Sequence, residues 1–123
     1  MADCVQFTGW QQDVLRIYSD LDVLVISSHN EGAPVPMIEA LAAGCPVVAT
    51  DVGAVADVLT GTSGMIVPSG DARALAEAIW RTLRQPPDPE ADRARMLNRY
   101  SIERLARDLD SLYRGLLNKK RRT

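Results

Sequence analysis

The segment EGAPVPMIEALAAGCPVVATD, residues 31 to 51, largely decides how this chain folds. Between its terminal carboxylates the residues are apolar, small, proline or glycine, apart from Thr50 and a single glutamate, Glu39. An unpaired charge is expensive to bury, so a glutamate inside an apolar segment needs a physical reason. A second glutamate, Glu31, precedes it by eight residues.

The rest of the chain alternates short β-type runs with helical patterns. The runs 22–28 and 46–50 are almost continuously apolar, which is typical of strands buried on both faces of a parallel sheet. This alternation predicts an α/β, Rossmann-like fold: a partial parallel sheet of about four strands with helices on both faces and further C-terminal helices. The predicted strands are 5–8, 22–28, 46–50 and 65–67, and the predicted helices between them are about 13–19, 36–43 and 55–59.

The C-terminal third of the chain has a helical pattern. Asp71 is a credible N-cap for a helix over residues 72–84, and the prolines of residues 86–89 would end it. Ser101 can cap a final helix that carries a row of leucines at spacings of four, three and four: Leu105, Leu109, Leu112 and Leu116. Such a row is predicted to face the core, and a dimerising coiled coil is the alternative.

Composition predicts a single globular domain over residues 1–123. The chain is 46% hydrophobic and 24% charged, and its net charge of −2 argues against a nucleic-acid partner. No apolar run approaches the ~18 residues that a transmembrane segment needs, and Met1 begins no signal-peptide pattern. Cys4 and Cys45 lack metal-ligand spacing, and Cys45 opens a predicted buried strand, so a reducing cytoplasmic setting is expected.

Both glutamates are expected at one edge of the sheet. Glu31 comes just after a predicted buried strand, and open parallel sheets bind ligands beyond the carboxyl ends of their strands. Pro34 and Pro36 suit the first turn of a helix, where a missing N–H costs nothing. The helix should therefore begin near Val35, with Glu39 about one turn in and both carboxylates facing the same crevice.

A helix start of this kind suits a phosphate, because it has unpaired N–H groups and a partial positive charge. Gly32 would let a ligand approach the backbone closely. A carboxylate accepts two hydrogen bonds side by side, so Glu39 could bind a vicinal diol such as a ribose. Together these groups describe a site for a nucleotide-sugar. On spacing alone two alternatives stay open: Glu39 as a helix-dipole or capping carboxylate with an exposed tip, and Glu31 as an ordinary loop charge.

The run from Glu31 to Gly53 resembles the signature of the group 1 (family 4) glycosyltransferases. These are retaining enzymes of the GT-B fold, with two Rossmann domains and a Glu-x7-Glu motif. The resemblance covers essentially residues 5–117. Further matching segments are Phe7–Gly9, Tyr18–Asp22, Gly64–Pro68, Gly70–Asp71 and Tyr113.

The resemblance implies the C-terminal, donor-binding part of a glycosyltransferase. Such an enzyme transfers a hexose-type sugar from a nucleotide diphosphate sugar with retention, and it needs no metal and no cofactor. Glu31 would be the catalytic residue, near the anomeric centre, and Glu39 would bind the ribose. The implied donor-binding set is Gly32, Ala33, Pro34, Val35 and Glu39.

The chain is shorter than the enzymes that it resembles. It lacks their N-terminal acceptor domain and the two β-α units that open their C-terminal domain, whose basic residues commonly contact the diphosphate. We therefore expect no sugar transfer by the isolated chain. The alternative function is a non-catalytic α/β fragment or interaction module that retains the motif.

The missing units also have a consequence for assembly. In the enzymes that the chain resembles, two further strands lie between those matching residues 5–8 and 22–28. Without them the apolar edge of the strand 22–28 is open, and an open edge recruits another strand. Either the strand 5–8 pairs there within the same chain, or a second copy does. We expect a homodimer through this edge.

Overall fold

A computed structural model describes residues 4–120 and shows a three-stranded parallel sheet in the order β1-β2-β3. The strands are β1 (Leu24–Ile26), β2 (Val47–Thr50) and β3 (Met65–Val67). The helices are α1 (Val14–Asp20), α2 (Val35–Ala43), α3 (Val55–Leu59), α4 (Ala72–Arg84), α5 (Pro89–Tyr100) and α6 (Ile102–Lys120). The predicted α/β class, with helices on both faces of a small parallel sheet, is confirmed.

Strand β2 is buried on both faces. Each of its residues is at most 4% exposed. Val47 and Ala49 belong to the larger core cluster, which they share with residues of α1, α2, α3 and α5. Val48 packs in a second cluster with Val67 and Ala78, on the side of α4. Apolar neighbours on both faces explain why the sequence of β2 is apolar up to its last residue, Thr50.

Helix α5 was not predicted, yet it closes the core over α2. It begins at Pro89, which was expected only to end the preceding helix, and its Met96 is 1% exposed within the larger core cluster. The Arg93 guanidinium donates hydrogen bonds to the carbonyl oxygens of Ala42 and Ala43, at 3.1 and 2.9 Å. These bonds satisfy carbonyl groups at the end of α2 that have no partner inside that helix.

The predicted strand over residues 5–8 is wrong. This segment is exposed and lies in no regular element, and Phe7 is 94% exposed. Strand β1 therefore has β2 as its one hydrogen-bonded neighbour within residues 4–120, and pairing of β1 with residues 5–8 of the same chain does not occur. A run of four residues forms a strand only against a neighbour, and this segment has none.

Helix α6 forms where it was predicted, with Ser101 Oγ accepting from the backbone N–H of Arg104 at 3.3 Å. The prediction that its leucine row faces the core is wrong. None of its residues is buried, and the four leucines are 40–59% exposed. Exposed ion pairs along the helix, Arg104–Asp108 and Asp110–Arg114, give it local support. Amphipathic spacing shows that one face is apolar, but it does not show what covers that face.

The two thiols should differ in reactivity. Cys4 is exposed and Cys45 is 2% exposed, and burial raises the pKa of the Cys45 thiol, so little reactive thiolate forms there. With a chromogenic disulfide reagent at pH 8, we expect one fast thiol in the native chain and two after unfolding in guanidinium. The Cys4→Ser variant should lose the fast phase. Two fast thiols in the native chain would contradict the burial of Cys45.

Candidate functional site

Glu31 lies in the loop that follows the carboxyl end of β1. Its Oε1 accepts a hydrogen bond from Ser28 Oγ at 2.5 Å, and its side chain is partly buried. Thr50, the buried last residue of β2, donates its hydroxyl to the carbonyl oxygen of Ser28 at 2.6 Å. These two hydrogen bonds tie the Glu31 loop to the central strand.

Gly53 packs directly against the backbone of Glu31. It has a φ of +53°, and a Cβ built on it would lie 1.7 Å from the Glu31 carbonyl oxygen and 2.8 Å from the carbonyl carbon. Only glycine combines this φ with so close an approach. Gly53 lies at the end of the matched motif, but its place in the sequence predicts no role for it. A glycine shortly after a buried strand is compatible with a close backbone approach, but it does not indicate which residue is approached.

Helix α2 begins at Val35, as predicted, but through an unexpected turn. Pro34 has φ −77° and ψ 73°, and the Val35 N–H donates to the carbonyl oxygen of Ala33 at 2.8 Å. This is an inverse γ-turn, whose φ the proline ring sets in advance. Pro34 itself is buried, so the turn is anchored in the protein interior.

The start of α2 therefore offers fewer hydrogen-bond donors than the sequence predicted. The Val35 N–H is already bonded, and prolines have no N–H. Within residues 4–120 no acceptor takes the backbone N–H of Gly32 or Ala33, and both residues are exposed. A Cβ built on Gly32 would meet nothing within 4 Å. These two N–H groups are therefore free to donate to an anion.

Glu39 is the fifth residue of α2, about one turn in, as expected. It is partly buried, and its Oε2 accepts a hydrogen bond from the Tyr18 hydroxyl at 3.4 Å. Tyr18 is 9% exposed, and burial together with the Glu39 carboxylate raises the pKa of its phenol. Glu39 accepts from no backbone N–H in the described part of the chain, which argues against a capping role.

A separate cavity of about 270 Å³ opens beyond the carboxyl ends of the strands, on the α4 side. Its lining residues are Ser27, His29, Thr50, Gly70, Asp71, Ala72 and Leu75. Neither glutamate lines it. That Glu31 and Glu39 face one common crevice stays a prediction.

Metal clusters and membrane-spanning helices are both absent from residues 4–120. No three side chains of histidine, cysteine, aspartate or glutamate come together there in a group that could hold a metal ion. None of the helices described has the length and apolarity to cross a membrane.

The contact between Gly53 and Glu31 predicts a large effect of a small substitution. Gly53→Ala should cost about 2–4 kcal/mol of unfolding free energy in urea, because its Cβ would clash with backbone atoms. Gly70→Ala is the matched control: Gly70 also has a positive φ, +83°, but a Cβ there meets nothing within 4 Å. It should cost only about 1 kcal/mol. Equal losses in the two variants would show that the approach to Glu31 adds no constraint.

Comparison with known proteins identifies relatives along most of the chain. The lipopolysaccharide core biosynthesis mannosyltransferase LpsB of Rhizobium meliloti (strain 1021) is 34% identical over 95% of this chain and 35% of its own length. The capsular polysaccharide biosynthesis glycosyltransferase CapM of Staphylococcus aureus is 34% identical over 85% of this chain and 29% of its own length. The chain thus spans about a third of the length of these relatives.

A solved structure and a family profile agree with these relatives. Sucrose-phosphate synthase from Thermosynechococcus elongatus aligns with a TM-score of 0.76 and 34% identity, over 84% of this chain and 27% of that one. The profile described as "Glycosyl transferases group 1" matches residues 1–85. With that match over more than half of its length, the chain belongs to the group 1 glycosyltransferases.

Proposed function

We propose that this chain is the donor-binding part of a retaining glycosyltransferase that transfers a hexose-type sugar from a nucleotide diphosphate sugar. One arrangement carries the proposal. Two carboxylates, Glu31 and Glu39, flank in sequence the unbonded backbone N–H groups of Gly32 and Ala33. The carboxylates can accept hydrogen bonds from sugar and ribose hydroxyls, and the N–H groups can donate to phosphate oxygens. LpsB is a mannosyltransferase by name, which supports a hexose.

Each residue of the site has a role in this proposal. Glu39 accepts the ribose hydroxyls. The segment Gly32–Val35 holds the diphosphate and the sugar, with Gly32 and Ala33 as donors and the Pro34 turn as their support. Glu31 is the catalytic residue, placed at the sugar, where its negative charge stabilises positive charge that develops at the anomeric carbon. The proposed chemistry uses no metal and no cofactor.

The cellular setting and the scope of the activity are proposals too. Two free cysteines suit a reducing cytoplasm. Because the chain spans about a third of its relatives, we propose donor binding for it rather than complete transfer. A non-catalytic interaction module is the second candidate, favoured by the exposed leucine face of α6 and by Phe7 and Trp10, which are 94% and 85% exposed.

We also propose a homodimer through the outer edge of β1. That edge has no neighbour within residues 4–120, and Val25 at its centre is 36% exposed. Open apolar edges pair with other strands, and a second copy offers an identical one across a two-fold axis.

Calorimetric titration with UDP, GDP and ADP tests donor binding. We expect one of these nucleotides to bind with a Kd of about 10 μM to 1 mM. The Glu39→Ala substitution should weaken the affinity for that nucleotide at least tenfold. Glu103→Ala, which removes an exposed carboxylate from α6, is the matched control and should change nothing.

A stability measurement accompanies this titration. If Glu39 is held for a ligand, Glu39→Ala should lose less than about 2 kcal/mol of unfolding free energy. Absence of binding for all three nucleotides at millimolar concentration would contradict the proposal, and so would an unchanged affinity in Glu39→Ala.

Light scattering after size exclusion tests the dimer. At micromolar concentration we expect a dimer mass for the wild type and a monomer mass for Val25→Lys, because lysine on an edge strand opposes pairing. Ile66→Lys is the control: Ile66 lies on the other edge strand, β3, and is 39% exposed. It should stay dimeric. A wild-type monomer mass would rule the dimer out.

A further inference from the structure

Tyr18 is a core residue whose hydroxyl, its single polar side-chain atom, contacts Glu39, the residue proposed to bind the ribose. It is 9% exposed and belongs to the larger core cluster together with Met37 and Leu41 of α2. Its hydroxyl donates to Glu39 Oε2 at 3.4 Å, across 21 residues of sequence. The contact therefore joins α1 to the side of α2 that carries Glu39.

The position of Tyr18 matters because a glutamate side chain has three rotatable bonds. Immobilising this side chain in a complex costs conformational entropy. A hydrogen-bond partner that restricts the side chain before the ligand binds lowers that cost. The Tyr18 ring is itself held by the core. A carboxylate has about four acceptor positions, and the Tyr18 hydroxyl uses one of them, on Oε2. Within residues 4–120 no group donates to Oε1.

We propose that Tyr18 is a positioning residue for the donor's ribose: it orients the Glu39 carboxylate so that this accepts the 2′- and 3′-hydroxyls. Tyr18 does not itself contact the nucleotide, since its side chain is almost fully buried. This inference rests on the proposed function, in which Glu39 binds the ribose.

The protonation of Tyr18 supports the role. The phenol must be neutral to donate a hydrogen bond. Burial, and then the negative charge of Glu39, raise the pKa of Tyr18 above its ordinary value of 10.0. The hydroxyl therefore remains a donor throughout the neutral pH range.

The test compares two ligands, the nucleoside diphosphate that the wild type binds and its 2′,3′-dideoxy counterpart. The ratio of their affinities measures the ribose contact alone. Tyr18→Phe keeps the ring and removes only the hydroxyl. We expect this substitution to weaken the affinity for the ribonucleotide about three- to tenfold and to leave the affinity for the dideoxynucleotide unchanged.

Two further variants isolate the effect. Tyr113→Phe removes a hydroxyl from a tyrosine that is 59% exposed on α6, and it should leave both affinities unchanged. In the Glu39→Ala background, Tyr18→Phe should have no further effect on the ratio, because the carboxylate that it orients is gone.

The outcomes separate this inference from the proposed function. If Tyr18→Phe weakens both ligands equally, Tyr18 is only a packing residue, and the inference is overturned. An unchanged ratio in Tyr18→Phe overturns it as well, even where Glu39→Ala abolishes the preference for the ribonucleotide. If the wild type shows no preference for the ribonucleotide, or if Glu39→Ala retains that preference, the proposed ribose contact of Glu39 is contradicted. The positioning role of Tyr18, which depends on that contact, is then contradicted as well.

Discussion

The burial of β2 on all sides is the constraint on which the site depends. Strands pair with both of its edges, and helices cover both of its faces. A polar residue in such a strand must satisfy its own hydrogen bonds. Thr50 does so by donating its hydroxyl to the carbonyl oxygens of Ser28, at 2.6 Å, and Ile26, at 3.4 Å. Burial of one threonine therefore fixes the backbone from which the Glu31 loop departs.

The C-terminal end of helix α2 is also held by tertiary contacts, because α5 makes polar contacts with it as well as apolar ones. Gly44 ends α2 in the left-handed region, and Arg93 of α5 bonds carbonyl groups of its last turn. Helix α5 is in turn anchored by Asp92, which is 5% exposed and accepts from the Ser63 backbone N–H at 3.0 Å. The C-terminal end of the helix that carries Glu39 is thus held by Arg93 and Asp92, both about 50 positions beyond that end in sequence.

The sequence predicts the elements of the site better than its contacts. The bounds of α2 follow from local signals, two prolines at one end and Gly44 at the other. The almost continuous apolar run of residues 46–50 predicts β2 as a buried strand. Nothing local indicates that Gly53 lies against the Glu31 backbone, or that Tyr18 reaches Glu39, since both depend on how distant elements pack. Helix α5 was not predicted because Met96 is its one buried apolar residue and its apolar periodicity is weak.

The hydrogen-bond partners of the two glutamates also bear on which ligands the proposed site would favour. Ser28 and Tyr18 offer hydroxyl groups, and no cation pairs with Glu31 or Glu39 within residues 4–120. Hydroxyl partners leave the negative charge of both carboxylates in place, which favours contacts with sugar hydroxyls but repels a diphosphate. Two backbone N–H groups offset only part of that repulsion. In the proposed function, the two carboxylates would therefore favour a ligand rich in hydroxyls, whereas tight binding of a diphosphate would require positive charge beyond these contacts.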